Sequence, residues 1–229
     1  CGLVYSFMKG LKIEHSLINN GDDCVLIFES DQLEEVQRHL PGWFLNMGYT
    51  MEVEPPVWEL EQITFCQMQP VWTPSGYIMV RDVRQCFAKD CVSIKPLDSP
   101  RFTALWLQYV GTGGMSLAGG IPCIQELYAL MRRSGVYGGR HVRQTARRRH
   151  AKFHLDPTIE SSGMLRWASG MTRWYQPVDP RTRYSFWLAF GITPDMQEAC
   201  EEWYRGNTIS VHAQLPETGI PVSPILSYI

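Results

Sequence analysis

Two short apolar runs, Ser16-Leu17-Ile18 and Cys24-Val25-Leu26-Ile27-Phe28, flank Asn19-Asn20-Gly21-Asp22-Asp23. No other stretch restricts the fold as tightly, because Asn-Gly between apolar segments supplies the positive backbone angles that a tight β-hairpin needs. The spacing predicts a hairpin with two adjacent carboxylates at its tip. Asp31 followed by Glu34 then matches a capping box, and Leu33, Val36 and Leu40 share one helical face, which predicts a short amphipathic helix stopped by Pro41-Gly42. The alternation in Tyr49–Val53 predicts a strand. Ile63-Thr64-Phe65 and Tyr77-Ile78-Met79-Val80 predict two more, on either side of a turn at Thr73-Pro74-Ser75-Gly76. Residues 13–80 thus read as a β-rich sheet with one helix.

Beyond Arg81 the apolar period lengthens. Val83 to Lys89, Phe102 to Val110, Ile124 to Arg133 and Met196 to Tyr204 read as helices, the third ended by Ser134-Gly135. The charge changes at the same place. Residues 1–80 carry 3 basic and 11 acidic side chains, residues 81–185 carry 17 and 7, and residues 186–229 carry 1 and 5. A basic, mainly helical middle suits a polyanion, whereas an acidic β-rich start suits divalent cations. The densest basic stretch holds Arg140, Arg143, Arg147, Arg148 and Arg149, which can equally be a solvated face.

With 229 residues, 45% of them hydrophobic and 12% aromatic, the chain has enough apolar mass for a proper core, and no fibrous or low-complexity class fits. No apolar run approaches the roughly 20 residues that cross a bilayer. The 7 Cys are scattered without zinc or redox spacing, which suits free thiols in a reducing compartment. His141, His150 and His154 have no Cys at ligand spacing, which argues against zinc. Trp106, Tyr109, Trp167 and Trp174 read as core. The chain starts at Cys1 with no secretory pattern, so it reads as a piece of a longer chain.

Chemically, Gly21-Asp22-Asp23 is the sharpest local feature. A rigid turn that holds adjacent carboxylates offers hard oxygen donors to a cation such as Mg²⁺. Phosphoryl transfer uses such donors to hold two metal ions, which one carboxylate pair cannot do alone.

Leu17-Ile18-Asn19-Asn20-Gly21-Asp22-Asp23-Cys24-Val25-Leu26 resembles motif C of the RNA-dependent RNA polymerases of positive-strand RNA viruses, closest to the tombusvirus and carmovirus type. Glu59-Leu60-Glu61-Gln62-Ile63-Thr64-Phe65-Cys66-Gln67 with Pro70-Val71 resembles their motif E. Met79-Val80-Arg81-Asp82, Lys89-Asp90, Gly119-Gly120-Ile121-Pro122 with Tyr128, and Ala189 to Asp195 are similar to the thumb of the same group, so the resemblance covers almost the whole chain.

The resemblance implies an α+β fold. Residues 1–80 are the C-terminal part of a right-hand polymerase palm, with the β-hairpin and a small antiparallel sheet, and residues 81–229 are a mainly α-helical thumb. It implies template-directed nucleotidyl transfer to an RNA 3′-hydroxyl with Mg²⁺ or Mn²⁺. Asp22 binds metal and Asp23 helps position it. Phe65, Cys66 and Gln67 touch the growing strand, and Arg140, Arg143, Arg147, Arg148 and Arg149 of the basic half lie toward RNA. The partners implied are template and product RNA, nucleoside triphosphates, the upstream palm and fingers, and viral and host replication factors. The location implied is host cytoplasm, at membrane-associated replication complexes reached through segments outside this chain.

Two departures qualify the likeness. Motifs A and B, which carry the other metal-binding Asp and the Ser-Gly and Asn groups, belong before Cys1, so these 229 residues by themselves are expected not to polymerise. Where motif D usually carries Lys, this chain has Met51-Glu52-Val53-Glu54, and no Lys lies between Lys12 and Lys89. A Lys general acid for the leaving pyrophosphate is therefore missing, with Arg38 or His39 as its replacement or a slower step as the result. The alternative from another class is a non-catalytic RNA-binding module that uses its basic helical surface. A reverse transcriptase fits less well, since that group usually has an aromatic residue where this chain has Asn20.

Overall fold

A computed structural model describes residues 2–93, 97, 99–141 and 173–209. The fold is α+β, with small antiparallel two-stranded sheets among seven helices in the described residues. It divides into two compact units, residues 1–69 and 70–229.

The first unit is built from α1 (Gly2–Leu11), β1 (His15–Asn20), β2 (Asp23–Phe28) and α2 (Leu33–Asn46). Sequence patterning assigned no helix before the hairpin. Yet Val4, Phe7 and Met8 recur at helical spacing and are all buried in one cluster with Ile13, Val36, Leu40 and Phe44. Helix α1 ends in a Schellman motif: the amide of Ile13 donates to the Met8 carbonyl at 3.1 Å and that of Lys12 to Lys9 at 3.2 Å, with Lys12 in the left-handed region at φ 60°.

Helix α2 does not stop at Pro41-Gly42. It runs through Pro41 to Asn46, and Asp31 lies in a short 3₁₀ turn before it rather than capping it, because the N-cap is Gln32 without a side-chain bond. A Pro inside a helix costs roughly 3 kcal/mol. Burial of Phe44, one more turn along the face of Val36 and Leu40, together with the contact of Trp43 on Phe7 and Phe44, offsets that cost. The helix ends instead at Gly48, φ 83°, where Tyr49 donates to Phe44 at 3.0 Å and Gly48 to Leu45 at 2.9 Å.

The expected strands at Tyr49–Val53 and Ile63–Phe65 do not form. The first segment is extended but unpaired in a ladder, and the second follows a 3₁₀ turn at Leu60–Gln62 and makes a single bridge, Phe65 to Met68. Alternation was present in both, but β-structure needs a partner strand, and among the described residues none pairs with either segment in a ladder. The expected strand at Tyr77–Val80 is β4 (Gly76–Arg81); it pairs with β3 (Met68–Thr73) across the turn at residues 73–76, where Gly76 takes φ 107°.

The second unit continues with α3 (Val83–Asp90), α4 (Pro100–Ala118), α5 (Ile124–Ser134), the short pair β5 (Val136–Tyr137) and β6 (Arg140–His141), α6 (Pro180–Phe190) and α7 (Pro194–Gly206). Helix α4 is longer than its apolar pattern indicated, because it passes through Gly111, Gly113 and Gly114. Two of these glycines let α5 come close: a Cβ on Gly114 would lie 2.1 Å from the Tyr128 ring, and one on Gly111 would lie 2.7 Å from the Tyr128 carbonyl. The core behind them holds Leu107, Ile121, Ile124, Leu127, Phe186 and Tyr204, among others. Tyr109 and Trp174, read as core, are exposed at 48% and 67%. The cysteines among the described residues are free thiols. No helix among the described residues is long and apolar enough to cross a membrane.

Candidate active site

Strands β1 and β2 pair in antiparallel register from His15 with Phe28 to Asn20 with Asp23, which leaves Gly21-Asp22 as a two-residue turn. Gly21 takes φ 68° and Asp22 does not take a positive angle, the requirement of a II′ hairpin turn. On β1 the pleat turns His15, Leu17 and Asn19 inward and Ser16, Ile18 and Asn20 outward, so Leu17 and its partner Leu26 fix the register against the core. The inward Asn19 closes the turn: its side-chain amide donates to the carbonyl of Gly21 at 3.1 Å and of Asp23 at 3.0 Å.

This frame holds Asp22 and Asp23 at the tip of the hairpin, both exposed. Among the described residues neither carboxylate forms an ion pair, and no group of three or more His, Cys, Asp or Glu side chains is gathered to hold a metal ion. The two carboxylates therefore offer part of a coordination sphere, which is how Mg²⁺ is commonly held, by one or two carboxylates together with water and substrate phosphate.

Asp22 and Asp23 open onto a groove of about 810 Å³ within the first unit. Its walls are β2, one face of α2 and the segment from Met51 to Phe65, so Glu52, Glu54 and Glu59 line it together with the two aspartates. Five carboxylates along one open groove favour cations over bare phosphate. Helix α2 contributes Leu33, Val36, Gln37, Leu40 and Pro41 to the lining, while Arg38 and His39, the replacements considered for a motif D lysine, do not line it.

A second tight turn lies in the same unit. Phe65 and Met68 exchange backbone hydrogen bonds at 2.9 and 3.0 Å, and the two residues between them, Cys66 and Gln67, take φ 51° and 61°. Two positive angles in succession belong to a I′ turn, whose usual residues are Asn-Gly. Placing two L side chains there costs of order 1–3 kcal/mol for each. Phe65 and Cys66 are half-buried and Gln67 is exposed. Of the two turns, Asn20 makes the link: its side-chain amide donates to Sγ of Cys66 at 3.1 Å.

Asn19 and Asn20 were thus passed over as site residues, although adjacent Asn before a Gly turn is a signal for side-chain bonds to the turn backbone. Of the basic residues singled out, Arg140 lies in β6; Arg143, Arg147, Arg148 and Arg149 lie outside the described residues.

With this geometry in hand, a family model described as viral RNA dependent RNA polymerase matches residues 1–212. Among curated relatives, the RNA-directed RNA polymerase of Tobacco necrosis virus (strain A) is 39% identical over 97% of this chain and 29% of its own length. That of Turnip crinkle virus is 36% identical over 89% of the chain and 25% of its own length. That of Tomato bushy stunt virus (strain Cherry) is 37% identical over 88% of the chain and 23% of its own length. The chain thus spans under a third of the length of each of these relatives. No solved structure matches.

Proposed function

The chain belongs to the viral RNA-dependent RNA polymerase family, and from that premise we propose that it is the part of a larger enzyme that brings half of the metal site to template-directed RNA synthesis. In this reading residues 1–80 are the palm segment with motifs C, D and E, and residues 81–229 are the thumb. The observation that carries it is the pair Asp22 and Asp23, exposed and without an ion pair on a rigid two-residue turn that opens onto an acidic groove. Among the described residues no basic side chain pairs with either carboxylate, which leaves both open to a cation.

Asp22 and Asp23 are oxygen donors suited to Mg²⁺ or Mn²⁺. When bound, the metal pair lowers the pKa of the attacking 3′-hydroxyl and neutralises charge on the leaving pyrophosphate. The role of the chain itself is placement. The β1–β2 ladder and the two bonds of Asn19 fix the turn backbone that carries the carboxylates, so little backbone reorganisation is needed as charge develops on the transferring phosphoryl group. Phe65, Cys66 and Gln67 support the RNA 3′ end, with Gln67 on the exposed side of that turn. The basic segment containing Arg140, Arg143, Arg147, Arg148 and Arg149 binds the backbone of template and product. Upstream palm and fingers supply the remaining metal ligand and the nucleoside triphosphate contacts. Viral and host replication factors and a membrane-associated complex in host cytoplasm complete the setting.

The test is nucleotide incorporation by the complete polymerase carrying Asp22→Ala. Loss of synthesis by at least a hundredfold with RNA affinity retained supports the reading. Synthesis at the unmodified rate rejects it and leaves RNA binding through the basic half as the better account.

A further inference from the structure

Asn19 and Asn20 are adjacent and chemically identical, yet they do different things. Asn19 points inward and closes its own turn with two bonds. Asn20 points outward, takes no part in closing that turn, and reaches a residue 46 positions away, the thiol of Cys66 at 3.1 Å. Its backbone is the last rung of the ladder, opposite Asp23.

The receiving end is equally particular. A turn with positive φ at both central residues is most cheaply made from Asn-Gly, and a Cβ at either place is strained. The chain nevertheless carries Cys66 at φ 51° and Gln67 at φ 61°. Glycine at 66 would relax the backbone and remove the sulfur that Asn20 reaches. The strained turn therefore keeps a side chain whose sulfur, a weak acceptor, ties this turn to the catalytic one.

We propose that Asn20 is a positioning residue, whose amide holds Cys66 so that the turn bearing the RNA 3′ end keeps its register with Asp22 and Asp23. The proposal rests on the polymerase reading above and adds a coupling that the reading does not require. No bond is made or broken at sulfur, which acts only as the acceptor of the Asn20 amide. Misplacement of the 3′-hydroxyl by a fraction of an ångström slows the chemical step while leaving nucleotide binding in place.

The experiment is single-nucleotide extension of an annealed primer–template by the complete polymerase, with rates expressed per active complex from the burst amplitude. Asn20→Ala and Cys66→Ala are each expected to slow addition about fivefold, the effect of one neutral hydrogen bond, with KM for the nucleotide little changed. Because both remove the same contact, the double variant is expected to lose no more than either single one. Cys66→Ser, which keeps an acceptor, is expected to recover most of the rate. Cys66→Gly relaxes the backbone while deleting the thiol, and is expected to slow addition without lowering thermal stability, which separates positioning from folding. Single variants at the unmodified rate, or a double variant whose loss is the product of the two, overturn the proposal. If that happens while Asp22→Ala still abolishes synthesis, the coupling alone is wrong; if Asp22→Ala is active, the polymerase reading fails with it.

Discussion

Arg183 of α6 grips Glu201 of α7 with both terminal guanidinium nitrogens, at 2.9 and 2.8 Å, and the carboxylate is 1% exposed. Arg205 adds a bond to the same carboxylate at 3.0 Å, and the backbone amide of Cys123 donates to it at 3.1 Å, so one buried charge ties the start of α5 to α6 and α7. The bond from Glu201 also holds the Arg183 guanidinium above its ordinary pKa. A buried carboxylate that loses its cation is far more costly than the pair was favourable.

Arg183→Ala is therefore expected to destabilise the second unit by about 3 kcal/mol, the lower part of the range for a broken buried pair, since Arg205 remains on Glu201. Arg183→Lys recovers only part, because a single ammonium cannot reproduce the two-pronged grip. Thermal unfolding and limited proteolysis of the complete polymerase read both effects. Equal stability of Arg183→Ala and the unmodified protein contradicts the account.

Helix α4 gives a pair of opposite expectations from one residue type. Gly114→Ala places a methyl 2.1 Å from the Tyr128 ring, whereas around Gly113 nothing lies within 4 Å. The first substitution is expected to cost about 1–3 kcal/mol through overpacking. The second is expected to stabilise by up to about 1 kcal/mol through helix propensity. Denaturation of the two variants side by side checks the sign of each.

Burial pushes the Cys86 thiol from its ordinary value of 9.0 to about 11. The folded pKa lies above the unfolded one, so this contribution to stability is complete below pH 9 and is lost as pH rises toward 11. Over that window each pH unit costs about 1.4 kcal/mol. Cys86→Ala is expected to be less stable at pH 7 but to show a shallower loss between pH 9 and 11. Unfolding curves across that range measure the difference; parallel slopes contradict it.

How far the sequence carried the fold differs from element to element for physical reasons. The hairpin was legible because a glycine between two apolar runs marks a tight turn, and Gly21 takes the angle that the turn demands, although the turn residues are Gly21 and Asp22 and Asn20 stays in the ladder. Helix α2 was found but cut short, because Pro41 is a strong local stop signal that the tertiary burial of Phe44 overrides. Tyr49–Val53 alternates as a strand does, but alternation cannot say whether a partner strand is there. Of the proposed site, Asp22 and Asp23 are suggested by chemistry and Phe65, Cys66 and Gln67 by likeness to a family. The bond between Asn20 and Cys66 could not be read from either, since it joins two turns 46 residues apart and depends on which way each side chain leaves its strand.

The central claim is that Asp22 and Asp23 hold catalytic metal, and metal-directed cleavage tests it most directly. Fe²⁺ replaces Mg²⁺ in the complete polymerase, and ascorbate and peroxide generate hydroxyl radicals at the bound ion. The account predicts backbone cleavage at residues 20–24, suppressed by excess Mg²⁺ and lost in Asp22→Ala. Cleavage elsewhere in the chain, or an unchanged pattern in Asp22→Ala, contradicts it.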